Sequence, residues 1–220
     1  MGVRPSESRY MFEILLRHPD FVAINKPAGL CVHQDGAAES FTGLLAQQLG
    51  VARVWLLHRL DKPTGGVLLL ALNPEAASVL AQQFAAHSMH KTYLALSSQK
   101  PAKKQGWVKG DMAKARRGAW KLLRTQQNPA LTRFHSRSIA PGLRLFVLQP
   151  LSGKTHQLRV AMKSLGSPIL GDTLYGGQAA ERLFLHAWRL RLNHPLTGAP
   201  LELLAPLPRE LQSFLDTLSA

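Results

Sequence analysis

The sequence predicts an α+β fold, in which helices flank a mixed and largely antiparallel β-sheet. Short apolar or alternating segments recur along the chain and are mostly joined by brief turns, which is typical of antiparallel strands. Three or four segments between them carry the start and stop signals of helices. The chain has 220 residues, of which 45% are hydrophobic, and this is enough to bury a core beneath such a sheet.

The first half of the chain has clear element boundaries. Ser40 can begin a helix that ends at Gly50, because glycine readily adopts the left-handed conformation of a helix end. Asn73-Pro74-Glu75 begins another, because Asn caps free N–H groups, Pro fits the first turn and an acid complements the helix dipole. The predicted elements are strand 21–25, turn 26–30, helix 40–49, strands 54–58 and 66–72, and a helix from 74 to about 87.

The second half contains a basic and weakly patterned stretch, residues 99–130, between better-defined segments. Two strands enclose Ala140-Pro141-Gly142 and predict a hairpin. Thr155 is the predicted N-cap of a helix that stops at Gly166. The predicted elements are strand 91–97, strand-like pieces at 106–108 and 120–123, strands 131–139 and 143–150, helix 156–165, strand 183–192, an edge strand at 200–208 and a terminal helix at 209–218.

The composition bounds the setting in which the protein works. Its one cysteine, Cys31, cannot form an intramolecular disulfide and fits a reducing compartment, so we expect a cytoplasmic protein. No apolar run of about 18 residues predicts a transmembrane helix and no secretory signal is visible, so we expect no membrane partner. Residues 1–12 are predicted to be a leader, which can be disordered, ahead of one domain at 13–220; alternatively, Met11 begins the domain.

Positive charge is concentrated in one part of the chain. The sequence has 27 Lys and Arg residues against 13 Asp and Glu, a net charge of +14. Twelve of these cations, with Asp111 as the one acid, fall between Lys91 and Arg137. Such a local excess favours a polyanionic partner, because each phosphate that is neutralised releases counterions. We therefore expect nucleic acid as the partner rather than charges that are merely solvated.

A compact charged cluster, HRLDKPTGG, lies between two apolar strands at residues 58–66. A lone carboxylate on a tight turn usually bonds its own backbone. Here Arg59 and Lys62 flank Asp61, and adjacent cations keep a carboxylate ionised. An ionised carboxylate can act as a nucleophile at a sugar carbon. Asp61 is therefore a candidate catalytic residue.

A second cluster, SGKTHQLR, occupies residues 152–159. It is not a phosphate-binding P-loop, because Leu148 stands where that motif requires glycine. As a helix start it places His156, Arg159 and Lys163 near one face, beside free backbone N–H groups. The strand before it resembles the one before Asp61, so we expect both to end at one cleft.

A third motif, KTYLAL at residues 91–96, predicts a strand with Lys91 and Tyr93 on one face. A tyrosine in a cleft can stack on a base or handle a proton. Taken alone, a half-buried strand tyrosine with no such role is the more frequent case.

Metal chemistry has little support in the sequence. There is no CxxC pair, carboxylates are scarce and the histidines are scattered, so we expect no metal site. The glycine-rich motif of dinucleotide binding and the nucleophilic serine motif GxSxG are also absent from the sequence.

Together these motifs resemble the RluA-type pseudouridine synthases. The similarity runs from about residue 13 to 208 and includes KPAG, HRLDKPTGGVLLLAL, KTYLAL, LSGKTHQLRVAM, LGSPILGDTLYG and LFLHAWRLRLNHP in the order of that family. HRLD and HQLR are its specific segments. The sequence departs from the family at Thr64-Gly65-Gly66, at Ser152-Gly153-Lys154 and at Ala161, and it shows no S4-type RNA-binding module.

The resemblance implies a pseudouridine synthase-like catalytic domain that isomerises uridine in rRNA or tRNA, without cofactor or metal. Asp61 is the implied catalytic aspartate, Tyr93 stacks on the uracil and handles its proton, and Arg159 pairs with Asp61. The uridine must be flipped out of its stack to reach Asp61. We expect an RNA stem-loop as the partner and a monomeric protein. The residues predicted to contact RNA are His58, Arg59, Lys91, Lys103, Lys104, Arg116, Arg117, Lys154 and His156.

Two other functions compete with this prediction. A non-enzymatic RNA-binding module or RNA chaperone of the same fold would keep the basic surface but could lose Asp61 or Tyr93, and both are present. A sugar-cleaving hydrolase would normally need two carboxylates flanking the bond, and acids are scarce near the motifs.

Overall fold

A computed structural model describes residues 11–32 and 40–212 and contains a ten-stranded mixed sheet. Its strands run in the order β1-β2-β4-β11-β5-β10-β9-β6, with β3 paired to β4 and β12 paired to β11. Among the described pairs only β4 and β11 are parallel. A separate two-stranded ribbon is formed by β7 and β8. The strands are β1 Glu13–Arg17, β2 Phe21–Lys26, β3 Trp55–Leu56, β4 Gly65–Ala71, β5 His90–Ser97, β6 Gln105–Gly110, β7 Met112–Lys114, β8 Trp120–Leu122, β9 Ala130–Ala140, β10 Leu143–Pro150, β11 Leu185–Asn193 and β12 Pro200–Leu204.

Helices flank this sheet, so the predicted α+β class is confirmed. They are α1 Phe41–Leu49, α2 Pro74–Ala85, α3 Gln157–Ser164 and α4 Arg209–Gln212. The predicted caps are present: the Ser40 hydroxyl accepts a hydrogen bond from Gly43 N at 3.1 Å, and Asn73 Oδ1 accepts one from Ala76 N at 2.9 Å. Within residues 11–32 and 40–212, no helix is long and apolar enough to cross a membrane.

The central strand β4 is buried on both faces, which positions the turn before it. One face packs Leu68 and Leu70 against α1, and the other packs Val67 and Leu69 against α2. A strand that is covered on both faces typically has a continuous apolar sequence, and β4 has the sequence GGVLLLA. The Asp61 turn is therefore joined to one of the most buried elements of the molecule.

Several sequence predictions need correction. Thr155 does not cap α3: the residue before the helix is His156, in a left-handed conformation with φ of 56° and no capping side chain. Instead, the Gln157 side chain accepts a hydrogen bond from Lys154 N at 3.0 Å. Helix α2 ends at Ala85, short of His87. The strands β1 and β7 were not predicted, because each is short and lacks a clear alternating pattern.

Both ends of the chain extend beyond the described residues. Phe12 is buried and its ring lies 5.3 Å from that of Phe41, so the folded unit includes this residue. The predicted leader lies mostly in residues 1–10, outside the described range. The predicted terminal helix is present as α4, and its part beyond Gln212 also lies outside the range.

Candidate active site

Asp61 lies on a turn between β3 and β4 that a buried lysine holds in place. Lys26 is fully buried, and its ammonium donates to the carbonyls of Pro27 at 2.9 Å, Leu30 at 2.8 Å and Lys62 at 3.3 Å. Burial lowers the pKa of Lys26 from 10.5 to about 8, against the opposing effects of Cys31 and Asp61. The ammonium thus joins the KPAG loop to the carbonyl that follows Asp61.

The glycine pair after this turn allows close approach of β11. Gly66 has a φ of 116°, and a Cβ at this position would collide with the backbone of Ala187. Gly65 and Gly66 pair in parallel with His186 and Ala187. A larger residue at 66 would push β4 and β11 apart, and the Asp61 turn would move with β4.

Arg159 projects from α3 and forms its strongest contact with Asp172, not with Asp61. Its Nε and Nη2 donate to the two Asp172 oxygens at 2.8 and 2.7 Å, whereas its Nη1 lies 4.0 Å from Asp61 Oδ2. The exposed fractions are 9% for the Arg159 side chain and 1% for Asp172. Burial alone lowers the pKa of Arg159, but the hydrogen bonds and charge of Asp172 outweigh this and raise it. The predicted pairing with Asp61 is therefore a longer, secondary contact.

Tyr175 joins Arg159 to the ribbon formed by β7 and β8. The guanidinium of Arg159 lies 4.9 Å from the centre of the Tyr175 ring, which favours a cation–π interaction. The Tyr175 hydroxyl is 2.8 Å from His156 Nδ1 and accepts a hydrogen bond from Trp120 N at 2.9 Å. Burial lowers the pKa of His156, so this ring is held mainly neutral.

Tyr93 and Lys91 project from β5 into the same cleft, as predicted. Burial raises the pKa of Tyr93, and the negative charge of Asp61 raises it further, so the phenol is neutral. The Lys91 ammonium donates to the Ser152 carbonyl at 3.3 Å, and burial lowers its pKa. Tyr93 packs between the apolar cluster around β5 and β10 and the one beneath α1.

His58 supports the cleft from the side of α2. Its Nε2 accepts a hydrogen bond from Leu69 N at 3.0 Å, and its ring stacks on Phe84 with centres 4.6 Å apart. Burial, helped by the charge of Lys91, lowers the pKa of His58 to about 3, so the ring is neutral. The contact of His58 with RNA stays a prediction, although its ring already has two protein partners.

The site contains a cleft of about 840 Å³, a size typical of small-molecule sites. The structure brings together the predicted residues Asp61, Tyr93, Arg159, His58, Arg59, Lys91, Lys154 and His156. Four of the residues that are predicted to contact RNA lie outside the cleft. Lys103 and Lys104 are exposed beside the start of β6, and Arg116 and Arg117 lie on a 3₁₀ turn at the tip of the ribbon.

Three residues of the site were missed from the sequence: Lys26, Asp172 and Tyr175. Each belongs to a motif that was recognised in the sequence, KPAG or LGDTLYG, and these motifs were the signal that could have identified the three residues. Their individual roles depend on contacts with residues far along the chain. Within the part that the structure describes, no group of three or more His, Cys, Asp or Glu residues is placed to hold a metal ion.

Comparison with known proteins decides the family. The family model described as RNA pseudouridylate synthase matches residues 20–164. The chain belongs to this family.

Individual proteins agree with that assignment. The enzyme is 58% identical to an uncharacterized RNA pseudouridine synthase of Haemophilus influenzae over 83% of this chain and 82% of that protein. It is 36% identical to tRNA pseudouridine synthase C of Salmonella typhimurium over 90% of this chain and 86% of that protein. The solved structure of human RNA pseudouridylate synthase domain containing 4 superposes with a TM-score of 0.75 at 29% identity, covering 94% of this chain and 93% of that one.

The resemblance inferred from the motifs is thus confirmed, and so is the prediction of an RNA pseudouridine synthase, an isomerase that acts on RNA. A non-enzymatic RNA-binding module or RNA chaperone of the same fold is therefore less well supported than the enzyme.

Proposed function

We propose that Asp61 is the nucleophile that isomerises a uridine flipped into the cleft. The observation that carries this proposal is the placement of Asp61 on a rigid turn, with its carboxylate 4.0 Å from a buried arginine and in the same cleft as the half-buried Tyr93. An ionised carboxylate can attack a sugar carbon, and the positive charge of Arg159 lies beside it. The cleft volume of about 840 Å³ accommodates a nucleoside that has left its stack.

The proposed reaction needs no net oxidation and no second substrate. If Asp61 attacks C1′, the bond from C1′ to N1 breaks and the uracil leaves with the electron pair. The uracil then turns, C5 bonds to C1′ as the carboxylate leaves, C5 loses its proton and N1 gains one. Attack on the base instead of the sugar leads to the same product, and both routes require the same carboxylate.

Tyr93 is proposed to stack on the uracil and to assist removal of the C5 proton. Its phenol is neutral in the free enzyme, because burial and the charge of Asp61 both raise its pKa. The neutral hydroxyl can relay the C5 proton: its oxygen accepts that proton while its own proton passes to the Asp61 carboxylate, which is free again once C5 is bonded to C1′.

The RNA is proposed to dock on the basic residues beside the cleft. Arg59 is exposed on the cleft wall, where it can occupy the space left by the flipped base or bind its phosphate. Similarity to a tRNA pseudouridine synthase makes tRNA the first pool to examine, and rRNA is the second. All proposed catalytic groups come from one chain, so we propose that a monomer acts, in the cytoplasm, on an RNA stem-loop.

The test is to map pseudouridine in tRNA and rRNA from cells with and without the gene, using carbodiimide modification or mass spectrometry. We expect one or more pseudouridines to disappear in the deletion strain. They should return when the wild-type protein is supplied, but not when Asp61→Asn is supplied. An unchanged map in both RNA pools would overturn the proposal and favour a non-enzymatic role in RNA binding.

A further inference from the structure

A second cavity of about 490 Å³ lies beside the active-site cleft, between the β7–β8 ribbon and the loop before α3. The two cavities share part of their lining, namely Asn128, Gly153, Lys154 and Thr155. A polynucleotide that places one nucleotide in the cleft can therefore reach the second cavity across this common wall. Its volume is within the range of sites that bind small molecules.

An aromatic residue is part of the lining of the second cavity. Trp120 is half-buried and begins β8, where it pairs with Lys114. Its backbone N–H donates to the Tyr175 hydroxyl at 2.9 Å, which fixes this end of the ribbon against the site. Aromatic rings on RNA-binding surfaces are the usual stacking platforms for unpaired bases.

Lys154 stands on the wall between the two cavities. Its ammonium donates to Asn128 Oδ1 at 2.8 Å, which holds the charge at the shared boundary. The nearby acid, Asp111, accepts hydrogen bonds from Gln127 N at 3.0 Å and Asn128 N at 2.8 Å. Both carboxylate oxygens are thus used to shape the loop, and Lys154 offsets their charge.

We propose that the second cavity binds the base of the nucleotide next to the target uridine in the RNA chain. Trp120 stacks on this base, and Lys154 contacts the phosphate that joins the two nucleotides. Stacking tolerates any base, whereas the amide of Asn128 and the hydroxyl of Thr155 offer hydrogen bonds to its edge. The inference rests on the proposed function, since the neighbour is defined relative to the uridine at Asp61.

The experiment combines changes in the protein with changes in the RNA. The probe is a synthetic RNA stem-loop with one uridine in its loop, in which the nucleotide on the 5′ or the 3′ side is replaced by an abasic one. For wild type, one of the two replacements should weaken binding by about fivefold to a hundredfold. Trp120→Ala should bind the intact RNA more weakly than wild type by a similar factor. Its affinity should not fall further when that nucleotide is abasic.

A matched control is Trp107→Ala, because Trp107 lies on β6, is 46% exposed and lines neither cavity. This variant should keep the wild-type sensitivity to the abasic RNA. If Trp120→Ala weakens binding equally for the intact and both abasic RNAs, the proposal is overturned. The measurement needs no turnover, so its failure is distinct from failure of Asp61 as the nucleophile.

A measurement on wild type covers the case in which Trp120→Ala does not fold. The base on either side of the uridine is replaced by 2-aminopurine, whose fluorescence falls when it stacks on an aromatic ring. We expect the fluorescence to fall at one of the two positions when the RNA binds the wild-type protein. Fluorescence that is unchanged at both positions contradicts the subsite.

Discussion

The Asp61 turn and the β7–β8 ribbon face the same site but hold their charges in opposite ways. Lys26, Arg159 and Asp172 near Asp61 are buried, and each has at least two hydrogen bonds to other residues. Arg116 and Arg117 at the tip of the ribbon are exposed. Buried charges are costly unless they are paired, but they hold a geometry, whereas exposed charges cost little and attract a polyanion. We infer that the first region carries the chemistry and the second carries the docking.

The largest effect expected is the loss of turnover in Asp61→Asn. Asn keeps the shape of the turn but cannot act as a carboxylate nucleophile. Single-turnover assays with RNA should show pseudouridine below the detection limit, while the affinity for RNA stays within about twofold of wild type, because the docking residues are unchanged. Pseudouridine formed by the pure variant would show that the chemistry lies elsewhere.

Arg159→Ala should lose activity and stability together. It leaves the Asp172 carboxylate buried without its partner, which costs about 3–5 kcal/mol of unfolding free energy. The matched control is Arg159→Met combined with Asp172→Leu, which removes both charges. This double variant should regain most of the stability in urea unfolding but none of the turnover. Wild-type turnover in the double variant would remove Arg159 from the reaction.

The lowered pKa of Lys26 predicts how the stability of the protein depends on pH. Its pKa is lowered from 10.5 to about 8 in the folded protein, so between these values the unfolded state binds the extra proton. The free energy of unfolding should therefore increase as pH rises from about 8 to 10.5, and Lys26 should contribute about 3 kcal/mol to this increase in total. Below pH 8 the lysine is charged in both states, and this gain is absent.

The measurement is urea unfolding of wild type and Lys26→Met across this pH range. The difference between the two proteins should change with pH, because only wild type titrates at position 26. Lys62→Met is the control, since Lys62 is exposed and its carbonyl still accepts the Lys26 hydrogen bond. A difference that stays constant from pH 8 to 10.5 would contradict the lowered pKa.

The smallest effect per residue is expected on the docking side. Replacing Lys103, Lys104, Arg116 and Arg117 with Ala should weaken RNA binding and lower the salt slope by roughly 0.7–0.9 for each phosphate that the variant no longer neutralises. The single-turnover rate at saturating RNA should change little, because the cleft is untouched. Filter binding over a salt titration gives the slope. An unchanged slope would place the docking surface elsewhere, along the loop that begins α3.

Much of the fold was predictable because its signals are local. The caps at Ser40 and Asn73 depend on hydrogen bonds to residues three positions away, and both formed as predicted. The start of α3 was not predictable in the same way. His156 takes a left-handed conformation beside the Tyr175 hydroxyl, which lies 19 residues further along the chain. A distant contact therefore outweighed the local preference of Thr155 for a cap.

The sequence by itself determined the three central residues of the cleft, because polar clusters between apolar strands must lie where the strands end. Asp61, Tyr93 and Arg159 all line it. Only the tertiary structure decided how their charges are balanced: Arg159 is held by Asp172, and Lys26 by three carbonyls. The physical reason is that the strength of an ion pair depends on burial and on distances of a few ångströms between residues far apart in the chain, and neither is written in a local pattern.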